Sequence, residues 1–165
     1  MENIKLRAME PTDVDAIFVL ENCEDIARAS WNNAPVSHHQ LVNYAYSYSS
    51  DMFRDGELRL VVEASGRFAG TVDITDIDAA NGHALIGVAI VAELRRQGIG
   101  RAAVGLAAAY CLNAGLHQLC AIVARDNAPS LALFASAGFS ANGRLRSWLR
   151  RGKSYVDALI LQKIL

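Results

Sequence analysis

The sequence predicts an α/β (α+β) fold: a mixed, mostly antiparallel sheet of six to seven strands with about four helices, in one domain over residues 1–165. Three observations carry this reading. Period-two apolar patterning opens a run of three strand candidates between residues 58 and 91, an alanine-rich helix-favouring segment follows, and strands and helices then alternate up to a closing hairpin. With 52% hydrophobic and 20% charged residues, a chain of 165 residues can bury one unaided core and lacks the polar bias of disorder.

Ile4 to Met9 reads as a short strand. Pro11-Thr12-Asp13-Val14-Asp15 then marks a helix start, with Thr12 as cap and acids near the positive helix end, running to about Asn22. The next helix starts at Ser37, which has capping-box spacing to Gln40, while Val36 and Leu41 are placed to close a hydrophobic staple; it reaches about Ser50. From Leu58 to Ala64, the residues Leu58, Leu60, Val62 and Ala64 alternate with Arg59, Val61 and Glu63, the period of a half-buried strand. Ser65-Gly66-Arg67 turns the chain into a second strand, Phe68 to Ile77. Asp78 to Gly82 turns it again into Ala84 to Val91, because Asn81-Gly82 favours a tight reversal, and three strands so joined form an antiparallel meander.

Gly100 to Ala114 is alanine-rich and helical, with a glycine stop at Asn113-Ala114-Gly115. Leu119 to Ala124 is a short apolar strand, and Asn127 to Ser136 is a helix that tolerates Pro129 in its first turn. Gly138-Phe139 resumes extended structure. Leu145 to Leu149 and Tyr155 to Leu161 flank Arg150-Arg151-Gly152-Lys153 as a terminal hairpin with a basic tip, whose strand edge leaves a homodimer open.

Sixteen Lys and Arg against seventeen Asp and Glu leave a formal charge of -1, so no overall field draws the chain to nucleic acid or an anionic membrane, and neither partner is expected. Cys23, Cys111 and Cys120 are odd in number and lack C-x-x-C spacing, which points to a reducing, cytoplasmic setting. The polar start Met1-Glu2-Asn3-Ile4-Lys5 lacks a secretory pattern, and no apolar stretch is long enough to span a membrane. His38, His39 and His117 form no ligand pattern, so no metal is expected.

The segment richest in chemistry is Val88-Ala89-Ile90-Val91-Ala92-Glu93-Leu94-Arg95-Arg96-Gln97-Gly98-Ile99-Gly100-Arg101, a strand, a short connection, a glycine-containing turn and a helix start. Gly98 and Gly100 remove side chains where the helix begins, so free N–H groups and the positive helix end can face an anion, and a pyrophosphate is the natural guest. Neither the G-x-x-x-x-G-K-[ST] nor the G-x-G-x-x-G spacing is present. Glycine spacing alone also fits a plain tight helix entry.

Arg95-x-x-Gly98-x-Gly100 after an apolar strand resembles the Q/R-x-x-G-x-G/A signature of GNAT-type N-acetyltransferases, and Asp126-Asn127-Ala128-Pro129-Ser130 followed by Leu133-Phe134 and Gly138-Phe139 is similar to a second segment of that superfamily. Lys5-Leu6-Arg7, Val61-Val62-Glu63 with Ala69-Gly70, and Trp148-Leu149 with Tyr155-Val156-Asp157 most resemble its spermidine and diamine acetyltransferases and its ribosomal-protein acetyltransferases of the RimJ and RimL kind. The resemblance implies a central parallel strand pair, Ala84 to Val91 and Leu119 to Ala124, splayed around acyl-CoA. It implies acetyl-CoA as co-substrate, held by Val88, Ala89, Ile90, Arg95, Arg96, Gln97, Gly98, Ile99, Gly100, Arg101, Asn127, Ser130 and Phe134. An amine then attacks the acetyl carbon directly, aided by positioning and by an N–H near Val88 to Ile90.

An amine with a pKa near ~10 must first lose a proton. Many relatives carry a tyrosine acid where this chain has Phe134 and a glutamate where it has Leu85, and neither residue here can move a proton. Asp73, Asp76 and His83 are the replacement base candidates, with Asp73 and His83 the catalytic assignment. Trp31 and Asp73 are the candidates for binding the acceptor, with Tyr44, Tyr46 and Tyr48 as further wall residues. The expected substrate is a small-molecule amine of the polyamine or diamine class. A peptide amine (a protein N-terminus or lysine) and a non-catalytic acyl-CoA-binding role are the alternatives.

Overall fold

The computed structural model describes residues 3–29, 34–47, 49 and 51–165. Seven strands form one sheet: β1 (Ile4–Ala8), β2 (Leu58–Ala64), β3 (Arg67–Asp78), β4 (His83–Ile90), β5 (Gln118–Ala124), β6 (Ser140–Arg151) and β7 (Ser154–Ile164), in spatial order β1-β2-β3-β4-β5-β7-β6. Every neighbouring pair is antiparallel except β4 with β5. The expected meander is present and is extended on one side by β1. The closing hairpin is longer than expected, because β6 begins at Ser140 immediately after Phe139.

Six helices lie among the described residues, against the four expected: α1 (Val14–Glu21), α2 (Glu24–Ala29), α3 (His38–Ser47), α4 (Met52–Asp55), α5 (Ile99–Asn113) and α6 (Ala128–Ser136). The two additions are short. α4 is a single turn whose entry is set by Asp51, which accepts from the N–H groups of Phe53 and Arg54 at 3.1 and 3.2 Å. Such turns are below the length at which apolar periodicity is legible.

Thr12 is not the cap of the first helix. Pro11–Asp13 form a 3-10 turn, and the Asp13 carboxylate accepts the Glu10 N–H at 2.8 Å while holding the Arg7 guanidinium through two bonds of 2.7 Å. The start of α3 follows the sequence reading: Ser37 Oγ accepts from the Gln40 N–H at 3.0 Å and Gln40 Oε1 accepts from the Ser37 N–H at 3.1 Å. The helix is described over His38–Ser47 and Ser49 is no longer helical, so it stops short of the expected Ser50.

The sheet has two unlike faces. On one, α5 packs its alanine side (Ala103, Val104, Ala107, Ala108, Cys111) on Leu60, Val62, Val72, Ile74, Ile86 and Leu119, and small side chains let the helix approach closely. On the other, Met9, Val14, Ile17 and Leu41 cover Val61, so β2 is buried on both faces rather than half-buried. A separate cluster of Ala124, Leu149 and Ala158 lies on that second face at the β5-β7-β6 end. Gly70 permits the tightest strand contact, since a methyl group there would lie 2.0 Å from the Ala89 carbonyl oxygen. Among the described residues no helix is long and apolar enough to cross a membrane.

Candidate active site

β4 and β5 are paired at only three positions, His83 with Gln118, Ala84 with Leu119 and Leu85 with Cys120. Beyond Leu85 the two strands part, while β5 stays on β7 as far as Ala124 opposite Ala158. The directions of the backbone groups at the open end can be read from their partners. The Val91 N–H donates to the Ala69 carbonyl at 3.0 Å, on the β3 side, whereas the Ile90 carbonyl accepts from Arg95 Nε at 2.9 Å. Backbone groups alternate sides along a strand, so Val88 and Ile90 turn theirs into the gap and Ala89 turns its own toward β3. Apart from the Ile90 carbonyl, which Arg95 takes, such groups need an occupant or water.

The turn after β4 ends against this gap. Arg95 reaches back to Ile90 and also pairs with Asp25 of α2 at 2.8 Å, fixing the turn to the strand end. Gln97 Nε2 donates to the Glu93 carbonyl at 2.9 Å. Arg96 and Gly98 take left-handed backbone angles, φ 60 and 83. The first bond of α5 runs from the Ala102 N–H to the Gly98 carbonyl at 3.0 Å, so the N–H groups of Ile99, Gly100 and Arg101 have no partner in the helix and carry its positive end. Arg96, Gln97, Gly98 and Arg101 are exposed, while Ile99 is buried beneath them. At Gly100 a methyl group would touch the Leu133 side chain at 3.4 Å and Ile90 at 3.6 Å, which places the helix start against both the end of β4 and α6.

On α6, Asn127 is the cap, its side-chain oxygen accepting from the Ser130 N–H at 3.2 Å. Phe134 is buried and meets Phe139 edge-on with ring centroids 5.1 Å apart. Its ring belongs to the core under the α5 face.

The other face of the sheet carries a charged group. Arg59 and Asp73 are cross-strand partners, and Arg59 Nε donates to Asp73 Oδ1 at 2.6 Å. Arg59 Nη1 meets Glu21 at the end of α1 at 2.5 Å, and its guanidinium lies 5.6 Å from the ring centre of Tyr44 on α3. Burial works against the Arg59 charge, but Asp73 and Glu21 outweigh it and hold its pKa above the ordinary value. Burial pushes the Glu21 carboxyl up, with Arg59 opposing and Asp73 adding to the rise. Asp73 Oδ2 has no hydrogen-bond partner among the described residues. Across β4 the partner of Asp73 is Gly87. His83 stands at the closed end of the strand pair, 3.6 Å from Asp78, four residues or about 13 Å from Gly87. The structure does not bring His83 and Asp73 together. Trp31 and Tyr48 lie outside the described residues. Among those described, no group of His, Cys, Asp and Glu side chains could hold a metal ion.

Comparison with known proteins bears on this geometry. Residues 3–140 match the family described as acetyltransferase (GNAT) domain. The chain belongs to the GNAT acetyltransferases. Its chemistry is acyl-CoA-dependent N-acetyl transfer, with acetyl-CoA as co-substrate. The chain is 28% identical over 144 residues to spermidine N(1)-acetyltransferase of Escherichia coli (strain K12), covering 87% of this chain and 76% of that protein. It superposes on spermidine N-acetyltransferase from Vibrio cholerae, a structure in complex with CoA and spermine, with a TM-score of 0.86 and 24% identity over 98% of this chain and 95% of that one. The ribosomal L7/L12 alpha-N-protein acetyltransferase RimL, in complex with coenzyme A, gives a TM-score of 0.86 at 17% identity over 98% and 94%. The two structural likenesses carry the fold.

Within this GNAT fold, Phe134 and Leu85 occupy places without proton-transfer capacity: the first in the core, the second half-buried beside Thr75 and Cys120. Arg59 and Gly87 were not among the sequence candidates. Counting outward from the Ser65-Gly66 turn would pair Arg59 with Val72; a bulge between Val62 and Glu63 shifts the register by one and brings Asp73 opposite Arg59, so that contact was beyond the sequence. The link from Arg59 to Glu21 depends on how α1 crosses the sheet, which no local pattern encodes.

Proposed function

We propose that this protein acetylates a small primary amine of the diamine or polyamine class, with acetyl-CoA lying in the gap between β4 and β5. The observation that carries the reading is that the gap and the glycine turn are one continuous feature: Arg95 joins the turn to Ile90, and a methyl group at Gly100, at the head of α5, would lie 3.6 Å from Ile90. The residues suit the molecule. Free N–H groups at Ile99, Gly100 and Arg101 would donate to the pyrophosphate oxygens, the exposed Arg96, Gln97 and Arg101 flank it, and Gly98 leaves the approach bare. Val88 and Ile90 offer main-chain groups to the pantetheine arm and to the thioester oxygen. Asn127 and Ser130 set the start of α6 on the far side of the gap, and Phe134 backs it.

When bound, acetyl-CoA supplies an acetyl thioester that an uncharged amine attacks. Asp73 is the group that meets the amine. Arg59 holds one oxygen, and the other, without a partner among the described residues, would receive an ammonium hydrogen bond and, through water, its proton. The reading of Trp31 as an acceptor-site wall belongs to the same proposal. Support for a polyamine acceptor comes from the named activity of the Escherichia coli relative and from the two carboxylates around one guanidinium, which leave the site net negative.

The test is release of free CoA thiol with a panel of monoamines, diamines, polyamines and an N-terminal peptide. Turnover of diamines or polyamines, with a KM raised at least tenfold in Asp73→Asn and little change in acetyl-CoA affinity, is the expected result. Turnover confined to the peptide transfers the reading to protein amines. Tight acetyl-CoA binding without turnover of any amine makes the protein an acyl-CoA-binding domain and overturns the proposal.

A further inference from the structure

The two apolar clusters on the face opposite α5 do not meet. One covers β2 around Val61, and the other lies on β5, β7 and β6 around Ala124, Leu149 and Ala158. β4 runs between them. Its residues on this face are Leu85, Gly87 and Ala89, since Ile86 and Val88 pack toward the α5 core. Gly87 is exposed although it lies in the fourth of seven strands, and a methyl group added to it would meet no atom of the described residues within 4 Å.

A glycine inside a central strand loses packing and β-propensity and adds conformational entropy to the unfolded chain. Elsewhere in this sheet such a cost has a visible cause: at Gly70 the Ala89 carbonyl leaves no room for a side chain. At Gly87 none of the described residues demands it. Its backbone angle is one that any residue adopts, and the space above it is open. What remains is contact with something outside the fold that approaches the β4 backbone directly.

Neighbouring residues indicate its chemistry. Gly87 is flanked across β3 by Asp73, whose outer oxygen is free of partners among the described residues, and along β4 by the half-buried Leu85 and Ala89. An open main-chain floor with apolar shoulders and a fixed carboxylate at one side suits an alkyl chain bearing an ammonium group. We infer that Gly87 is the specificity-determining residue for the acceptor: the carbon chain of the amine crosses β4 there while its ammonium pairs with Asp73, and the absent side chain sets how thick an acceptor can enter. This inference rests on the amine-acetyltransferase reading and adds the position that limits the acceptor's girth.

Gly87→Val tests it, with Gly87→Ala as the smaller step. Valine suits a strand and its Cβ would have open space, so the variant is expected to melt at or above the wild-type temperature. Its affinity for acetyl-CoA, measured by calorimetry, is expected to stay within twofold of wild type. The KM for 1,4-diaminobutane and for spermidine is expected to rise at least tenfold in Gly87→Val and less in Gly87→Ala, with branched amines excluded first. The dissociation constant of 1,4-diaminobutane from the CoA-saturated protein, which needs no turnover, is expected to rise in parallel.

Wild-type KM values in a folded Gly87→Val protein overturn the inference and leave the acetyltransferase reading intact. A loss of acetyl-CoA affinity that matches the loss of activity also overturns it, by assigning Gly87 to the co-substrate. If the wild type neither binds nor acetylates any amine, the acceptor reading falls and takes this inference with it.

Discussion

Replacing Gly98 by aspartate separates the shape of the phosphate turn from its charge. Gly98 has φ 83 at the head of α5, and a side chain there meets no atom within 4 Å, so the steric cost is conformational only. For an L-residue that cost is about 1–2 kcal/mol. In a domain of this size each kcal/mol shifts the melting temperature by roughly 2–4 °C, so the unliganded variant should melt about 2–8 °C lower. Saturation of the wild type at about 100 times its Kd adds ~2.7 kcal/mol, a rise of about 5–11 °C. The aspartate carboxylate, close to the free N–H groups of Ile99 to Arg101, takes the ground a pyrophosphate needs and repels it. Thermal melting with and without acetyl-CoA reads both effects. Gly98→Asp should lose most of the ligand-induced rise, while Gly98→Ala, with a comparable conformational cost and no charge, should keep most of it. An aspartate variant that responds to acetyl-CoA as strongly as wild type would show that the anion does not bind at this helix start.

The Arg7–Asp13 pair supplies a test of acid stability. Asp13 has a side chain only 7% exposed, and the Arg7 guanidinium, helped by the Glu10 N–H and opposed by burial, holds its carboxyl below the ordinary carboxylate value. A depressed pKa contributes stability above the unfolded value near ~3.9 that is lost as pH falls through the folded one. Asp13→Asn should therefore cost about 2–3 kcal/mol in urea unfolding at pH 7 and weaken the acid dependence below pH ~4. Gly70→Ala forces a methyl group against the Ala89 carbonyl and should cost about 3 kcal/mol, read as a lower urea midpoint. Phe134→Ala opens the core beside Phe139 and should cost about 3–5 kcal/mol, measured in the same titration.

Much of the architecture was legible because it is written locally. The Ser37–Gln40 capping box, the turns at Ser65-Gly66 and Asn81-Gly82 and the alanine-rich run of α5 each specify their element within a few residues, and each is found where expected. The helices α2 and α4 escaped because six and four residues hold too few turns to show a period. Thr12 was misjudged as a cap because Asp13, one residue later, serves the Glu10 N–H and Arg7 together. Val61 was placed on a half-buried strand because its cover comes from α1 and α3, remote in sequence. For the site, the glycine turn could be read directly, whereas the pairing of Asp73 with Arg59 and Glu21 needed the strand register and the path of α1. Gly87 gave no signal at all: a lone glycine in an apolar strand says nothing until the space above it is known.

The parting of β4 from β5 also bears on how this protein can change over generations. The gap offers its occupant peptide groups, and peptide groups are the same whatever side chain is attached to them. Val88 and Ile90 could give way to other residues of similar bulk without removing one donor or acceptor from the gap. Positions where the absence of a side chain is itself the requirement, such as the glycine turn and Gly70, are the ones bound to particular letters. A lineage built on this plan can therefore rewrite most of its alphabet and still present the same peptide groups to the gap.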